Sequence, residues 1–244
     1  MKVFIIRHAQ SANNRLGESA LYDDYMARRD PEPPLTELGH RQATILAEHL
    51  VSSDLPERKL ESTAQVYALT KIFCSPMLRT LQTAWPISQT TGLKPQVWMA
   101  IHEQGGCFHG NPRTSGEIVN FTGLTRREMS EQFPGYELPS ECGEEGWWFS
   151  GYEDSSGCQR RAVQVAATLR EWAPTMADER IALISHGTFA EALVRAILGL
   201  PPDHPSYYSH YNTAITRVDF LADSVTFLRY LNRIQHLPPE MITR

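Results

Sequence analysis

The chain has 244 residues, 41% of them hydrophobic and 21% charged, which suits one globular domain with room for a small insertion. A formal net charge of -5 and a pI near 6.0 lack the basic excess that nucleic acid or an anionic membrane recruits, so any bound anion must be held locally. The apolar run from Val3 to Ile6 is too short for a secretory leader, no later stretch reaches membrane-spanning length, and Cys74, Cys107, Cys142 and Cys158 show no C-x-x-C spacing; together these predict a cytoplasmic protein with reduced thiols and no zinc cage.

Lys2 to Ile6 is a β-branched and aromatic run that meets a charged pair, the pattern of a buried strand that delivers side chains at its C-terminal end. Thr36 is placed to cap a helix in which Ala43, Leu46, Ala47 and Leu50 recur at helical spacing. A second strand, Lys71 to Cys74, leads through Ser75-Pro76 into another helix, with Pro76 at its first position. A third strand over Gln96 to Ala100 ends at Ile101-His102-Glu103, and an amphipathic helix opens with Arg160 and Arg161 as surface residues. A fourth strand, Ile181 to Ser185, ends at His186-Gly187, before a helix that Gly199 and Pro201 terminate. Ile215 to Phe220 and Val225 to Leu231 read as two late strands joined at Ala222-Asp223-Ser224. Alternation of this kind predicts an α/β fold, a three-layer α/β/α sandwich with a mostly parallel central sheet.

Residues 104–158 break the pattern. The stretch is rich in glycine, has one plausible helix near Thr125 to Gln132, and carries nine acids against three arginines, a local net of -6. It reads as a cap inserted at the mouth of a site, with Trp147, Trp148 and Phe149 packing it onto the core, and His109 and Arg113 as either substrate contacts or exposed loop residues.

Four predicted strand ends bring Arg7-His8, Arg79, Glu103 and His186 to the edge where open α/β sheets bind ligands. Any one of them alone is commonplace. The run Arg7-His8-Ala9-Gln10-Ser11-Ala12-Asn13-Asn14 resembles the Arg-His-Gly-Glu-Thr/Ser-x-x-Asn signature of the histidine phosphatase, or phosphoglycerate mutase-like, superfamily, with Ala9 and Gln10 in place of the usual Gly and Glu. Leu35-Thr36-Glu37-Leu38-Gly39-His40-Arg41-Gln42-Ala43, Ser75-Pro76-Met77-Leu78-Arg79-Thr80-Leu81-Gln82-Thr83-Ala84, Ser185-His186-Gly187 and Asn212-Thr213-Ala214-Ile215-Thr216 are similar to its later segments, in order. The segment from Arg15 to Pro34, with Tyr22, Tyr25, Arg28 and Arg29, replaces the Phe-Thr-Gly-Trp-like element of the cofactor-dependent mutases.

The resemblance implies a phosphoglycerate mutase-like fold and phosphoryl transfer to His8 without metal or cofactor. Arg7, Arg79, His186 and the Gly187 amide would bind the phosphoryl oxygens, matching a reaction that depends on positioning and on cationic donors. Glu103 is the candidate general acid, with Glu117 or an acid of the cap as alternatives. Ser11 and Asn14 would touch phosphate or fix the loop, and His102 is expected to be structural. The expected partner is a small phosphorylated substrate, with no nucleic acid and no membrane; the oligomeric state is left open. A phosphatase is the first reading, a mutase the second, and a non-catalytic phosphate-binding module the third.

Overall fold

The computed structural model describes residues 1–52, 67–114, 117–201, 204–221 and 225–244. Its main sheet has six strands in the order β3-β2-β6-β1-β7-β8. These are β1 (Lys2–Arg7), β2 (Lys71–Cys74), β3 (Pro95–Val97), β6 (Arg180–Ser185), β7 (Ile215–Phe220) and β8 (Thr226–Arg233). The first four run parallel, while β7 is antiparallel to both β1 and β8. The turn expected at Ala222-Asp223-Ser224 lies outside the described residues.

The layers follow from alternation along β1. Phe4 and Ile6 face one hydrophobic cluster with Leu46, Leu50, Leu81 and Ile87, from α3 (Glu37–Val51) and α4 (Leu78–Thr91). Val3 and Ile5 face the other cluster with Val165, Leu169, Phe189 and Leu193, from α6 (Ser155–Trp172) and α7 (Gly187–Ile197). Central strands covered on both faces have to be apolar throughout, as Val3 to Ile6 and Ile181 to Ile184 are.

Three sequence expectations need correction. Pro76 precedes the helix instead of opening it: α4 begins at Leu78, because Ser75 turns the chain by accepting the Met77 amide on its hydroxyl. The third strand stops at Val97 and a single 3-10 turn, Met99–Ile101, follows; among the described residues no strand other than β2 pairs with β3, and the Glu137 backbone covers its outer edge. Arg161 is not a surface residue. It forks onto Glu153 at 2.9 and 2.5 Å and donates to the carbonyls of Ala100 and His102, pinning the turn that carries Glu103.

Between β1 and α3 the chain forms α1 (Ala12–Gly17) and α2 (Tyr22–Arg28). The stretch after Glu103 contains β4 (Phe108–His109), β5 (Val119–Asn120) and α5 (Arg126–Gln132). Its Cys107, Met129, Phe133, Trp147 and Trp148 belong to the same buried cluster as Phe4 and Leu46, so it shares the core of the α3/α4 layer. Phe149, expected to pack inward, is 62% exposed. All four cysteines are buried and unpaired. Among the described residues no helix is long and apolar enough to cross a membrane.

Candidate active site

Parallel strands β1, β2 and β6 end together, and the residues just beyond them meet. The His8 amide donates to the Ser185 carbonyl, and the Ser75 amide to that of Ile184, so neighbouring strands lock the three ends in register. His8 is buried. Its Nδ1 lies 2.7 Å from the Ala9 carbonyl, an acceptor only, so Nδ1 carries the ring proton and Nε2 has the lone pair. That lone pair accepts the Arg79 Nε-H at 3.2 Å. Burial first, and then the charges of Arg79 and Arg7, hold His8 well below the ordinary imidazole value of 6.5.

His186 packs edge-on to His8, with ring centroids 5.2 Å apart. Its Nε2 is 2.7 Å from the Ser75 hydroxyl, which also accepts the Met77 amide. In the tautomer that takes the Ser75 hydroxyl proton at Nε2, Nδ1 is an N-H donor, buried and without a partner among the described residues. Arg7 anchors one guanidinium nitrogen on the His210 carbonyl at 2.6 Å, while its Nε is likewise buried and unpartnered. Two buried orphan donors beside a neutral histidine fit an oxyanion, since such groups cost free energy unless something answers them. Gly187 makes room for this arrangement: a Cβ there would lie 3.1 Å from Arg7 Nε.

Glu103 is half-buried at the start of α7. It accepts the Gln104 and Phe189 amides on Oε1 at 2.9 Å each, and the Thr188 amide on Oε2 at 3.2 Å. Two of the first amides of α7 are thus taken by Glu103, and Oε2 keeps a lone pair. The carboxylate lines a cavity of about 500 Å³ together with Arg7, Gly187, Thr188 and His210, whose rim carries the exposed Tyr207, Ser209 and Arg244. Of the alternative acids, Glu117 is exposed and no other acid of the 104–158 stretch lines this cavity.

Ser11 and Asn14 form a capping box on α1: the Ser11 hydroxyl accepts the Asn14 amide at 3.3 Å, and Asn14 Oδ1 accepts the Ser11 amide at 3.1 Å. Asn14 Oδ1 also accepts from the Ser11 hydroxyl and from Asn212, so Ser11 is spent on fixing the loop and only the Asn14 Nδ2 donor is left over. The other motif residues brace the same loop. Thr83 accepts the Ala9 amide, Gln42 accepts the Gln10 amide, and Asn212 donates to the His8 carbonyl. Gly39 is required by close approach, because a Cβ would sit 2.1 Å from the Gln10 carbonyl oxygen. Thr213, at φ 59 in the left-handed region, places its amide 3.1 Å from the Arg7 carbonyl.

Sequence reasoning missed Glu32. Its carboxylate lies 4.0 Å from Arg79 and accepts the Leu78 amide at 2.9 Å, the Cys107 thiol at 3.3 Å and Trp147 Nε1 at 3.3 Å. Burial raises it above the ordinary 4.5, against the opposing pull of Arg79. Nothing local in Asp30-Pro31-Glu32-Pro33 marks this residue; only the fold brings it to Arg79. His102 packs on Trp148, with ring centroids 4.6 Å apart. His109 bonds the Arg29 carbonyl, and Arg113 lies over the Tyr22 ring, exposed.

The sequence model of the histidine phosphatase superfamily (branch 1) matches residues 3–233. A protein of Yersinia enterocolitica named probable phosphoglycerate mutase GpmB is 27% identical over 221 residues, covering 90% of this chain and 85% of that one. A Photorhabdus laumondii protein of the same name is 25% identical over 230 residues, with the same coverage. Among solved structures, a mycobacterial glucosyl-3-phosphoglycerate phosphatase complexed with VO3 superposes with a TM-score of 0.59 at 21% identity, covering 96% of this chain and 99% of that one. A phosphoserine phosphatase of Entamoeba histolytica in complex with 3-phosphoglyceric acid gives 0.56 at 18% identity, covering 97% and 99%. These structural likenesses show the shared fold.

Proposed function

Because the chain belongs to the histidine phosphatase superfamily, we propose that it hydrolyses a small phosphate monoester by passing the phosphoryl group through His8. The observation that carries this reading is the state of His8: neutral, its Nδ1-H tied to Ala9 and its Nε2 lone pair turned towards Arg79. When phosphate enters, the Arg79 fork moves its donors from Nε2 to the phosphoryl oxygens, alongside Arg7 and the His186 Nδ1-H. Nε2 forms the N-P bond as the ester P-O bond breaks; the electron pair leaves on the ester oxygen, which takes a proton from Glu103. The Ala9 carbonyl steadies the positive charge that appears on the ring. A water oxygen then attacks phosphorus, Glu103 takes back a proton, and the N-P electron pair returns to Nε2.

The solvent-facing rim of the cavity favours water as the second acceptor, and of residues 104–158 Gln104, Ser155 and Cys158 line it. The test is brief reaction with labelled phosphoester followed by denaturation: one acid-labile, alkali-stable phosphate on His8, with steady release of phosphate from p-nitrophenyl phosphate in EDTA. Label on Ser11 or Cys107 would refute the assignment. Glu103→Gln should slow alkyl esters far more than p-nitrophenyl phosphate, whose leaving group needs little protonation. The relatives named phosphoglycerate mutase favour a second reading, in which the phosphoryl group returns to another hydroxyl. Conversion between 3- and 2-phosphoglycerate, primed by a bisphosphate and faster than hydrolysis, would establish it.

A further inference from the structure

A third guanidinium, that of Arg29, stands beside the site on an aromatic ring. Arg79 is answered by Glu32 and the His8 ring, and Arg7 by the His210 carbonyl. The Arg29 guanidinium makes no hydrogen bond and no ion pair among the described residues, and its Nε is buried without a partner. It lies flat on Phe108, with Cζ 3.9 Å from the ring centroid. Burial lowers its pKa, Arg79 adds to that, and Tyr25, Cys107 and Glu103 oppose it, so Arg29 feels the groups of the active site although no acid closes on it.

The fold nevertheless fixes the backbone that carries this side chain. Asn13 of α1 clamps the next residue reciprocally, donating to the Asp30 carbonyl at 2.8 Å and accepting the Asp30 amide at 2.9 Å. His109 holds the Arg29 carbonyl at 3.2 Å. Phe108, the platform, follows Cys107, whose thiol meets the same Glu32 that faces Arg79. A side chain that only packed its aliphatic stem would keep its charged end in water, and a structural arginine would bind carbonyls, as Arg126 and Arg161 do. Arg29 is instead a planar donor fork held open on an aromatic face, the geometry suited to a carboxylate or phosphate.

We propose that Arg29 is a second oxyanion-recognition point, and that the ester turned over at His8 bears another anionic group, a carboxylate or a second phosphate, on its leaving-group side. The inference rests on the reading of His8 and Glu103 given above, since Phe108, the platform under Arg29, packs against Gly105 in the turn closed by the Gly106 amide on the Glu103 carbonyl. It is tested by binding in a His8→Ala background, where turnover does not interfere. The ligands are inorganic phosphate, glycerol 3-phosphate, 3-phosphoglycerate and glycerol 1,3-bisphosphate. The second and third differ in carrying a hydroxymethyl or a carboxylate, and the fourth puts a phosphate at that end.

At least one of the two dianchored ligands should bind about tenfold or more tightly than glycerol 3-phosphate, and Arg29→Met should erase that advantage while leaving inorganic phosphate within about twofold. Whichever ligand carries the advantage identifies the second anion. Arg29→Lys, which keeps the charge and loses the fork, should recover part of it. Equal weakening of all four ligands by Arg29→Met would assign Arg29 to the phosphoryl pocket or to the fold, and an absent advantage before mutation would remove the second anion; either result overturns the proposal. Failure to find phosphohistidine in the wild-type protein is a separate result that bears on the catalytic reading alone.

Discussion

His8 and His102 are near-copies in local structure and opposites in use. Each is buried just beyond a strand or turn, and each directs Nδ1 at the carbonyl of the following residue, at 2.7 Å to Ala9 and 2.8 Å to Glu103. Burial is the leading cause that keeps both uncharged, His8 well below 6.5 and His102 down to about 3. His8, however, turns its Nε2 towards Arg79 beside the unpartnered Arg7 Nε and His186 Nδ1, whereas the His102 ring packs against Trp147 and Trp148 on the inserted side. A buried neutral imidazole is therefore common to both regions; what distinguishes a nucleophile is what its second nitrogen faces.

The sharpest way to break this comparison is to remove each ring. His8→Ala should lower turnover on the order of 10⁴-fold or more, because no neighbour can replace an in-line nucleophile, while His102→Ala should keep wild-type kcat within about tenfold and lose stability instead. Similar kinetic losses in the two variants would undo the distinction. Next in size is Arg79→Ala, expected to cost on the order of 10² or more in kcat/KM, with little rescue by Arg79→Lys because a point charge cannot reproduce the fork. Full activity in the Lys protein would show that Arg79 acts by charge alone.

Acid titration sharpens the shared half of the comparison. His8, His102, His186, His210 and His236 are all depressed, chiefly by burial, His210 to about 4 and His236 to about 3. Between these values and 6.5 the unfolded chain binds more protons than the folded one, so stability is fully present above pH 6.5 and is lost as pH falls below it. Each histidine contributes a slope of roughly 1.4 kcal/mol per pH unit. Denaturant melts of His102→Gln should show a shallower acid slope than wild type by about one such increment; an unchanged slope would mean that His102 is protonated in the folded state. The smallest effect expected is Ser11→Ala, about 1 kcal/mol from the lost cap of α1, with ligand affinity nearly unchanged if the Ser11 hydroxyl serves the loop. A large loss of phosphate affinity at unchanged stability would return Ser11 to the binding site.

The alternating apolar runs, the turn residues and the ordered motifs determine by themselves the layered α/β architecture and the delivery of Arg7-His8 and His186 to one sheet edge, because a side chain at or just beyond the end of a parallel strand reaches that edge whatever else the chain does; Arg79 and Glu103, read as strand-end residues, come instead from the first turn of α4 and from beyond the 3-10 turn Met99–Ile101. The motif residues Gly39, Gln42, Thr83 and Asn212 were legible as pattern, but their work in bracing the His8 loop was not, since each acts across tens of residues of sequence. Glu32, Arg29 and Arg161 were decided only by the tertiary structure. Each lies in a stretch whose local pattern reads as loop or helix surface, and each gains its meaning from a partner, or the lack of one, that chain folding alone supplies: Glu32 against Arg79, Arg161 beneath the Glu103 turn, and Arg29 open on Phe108.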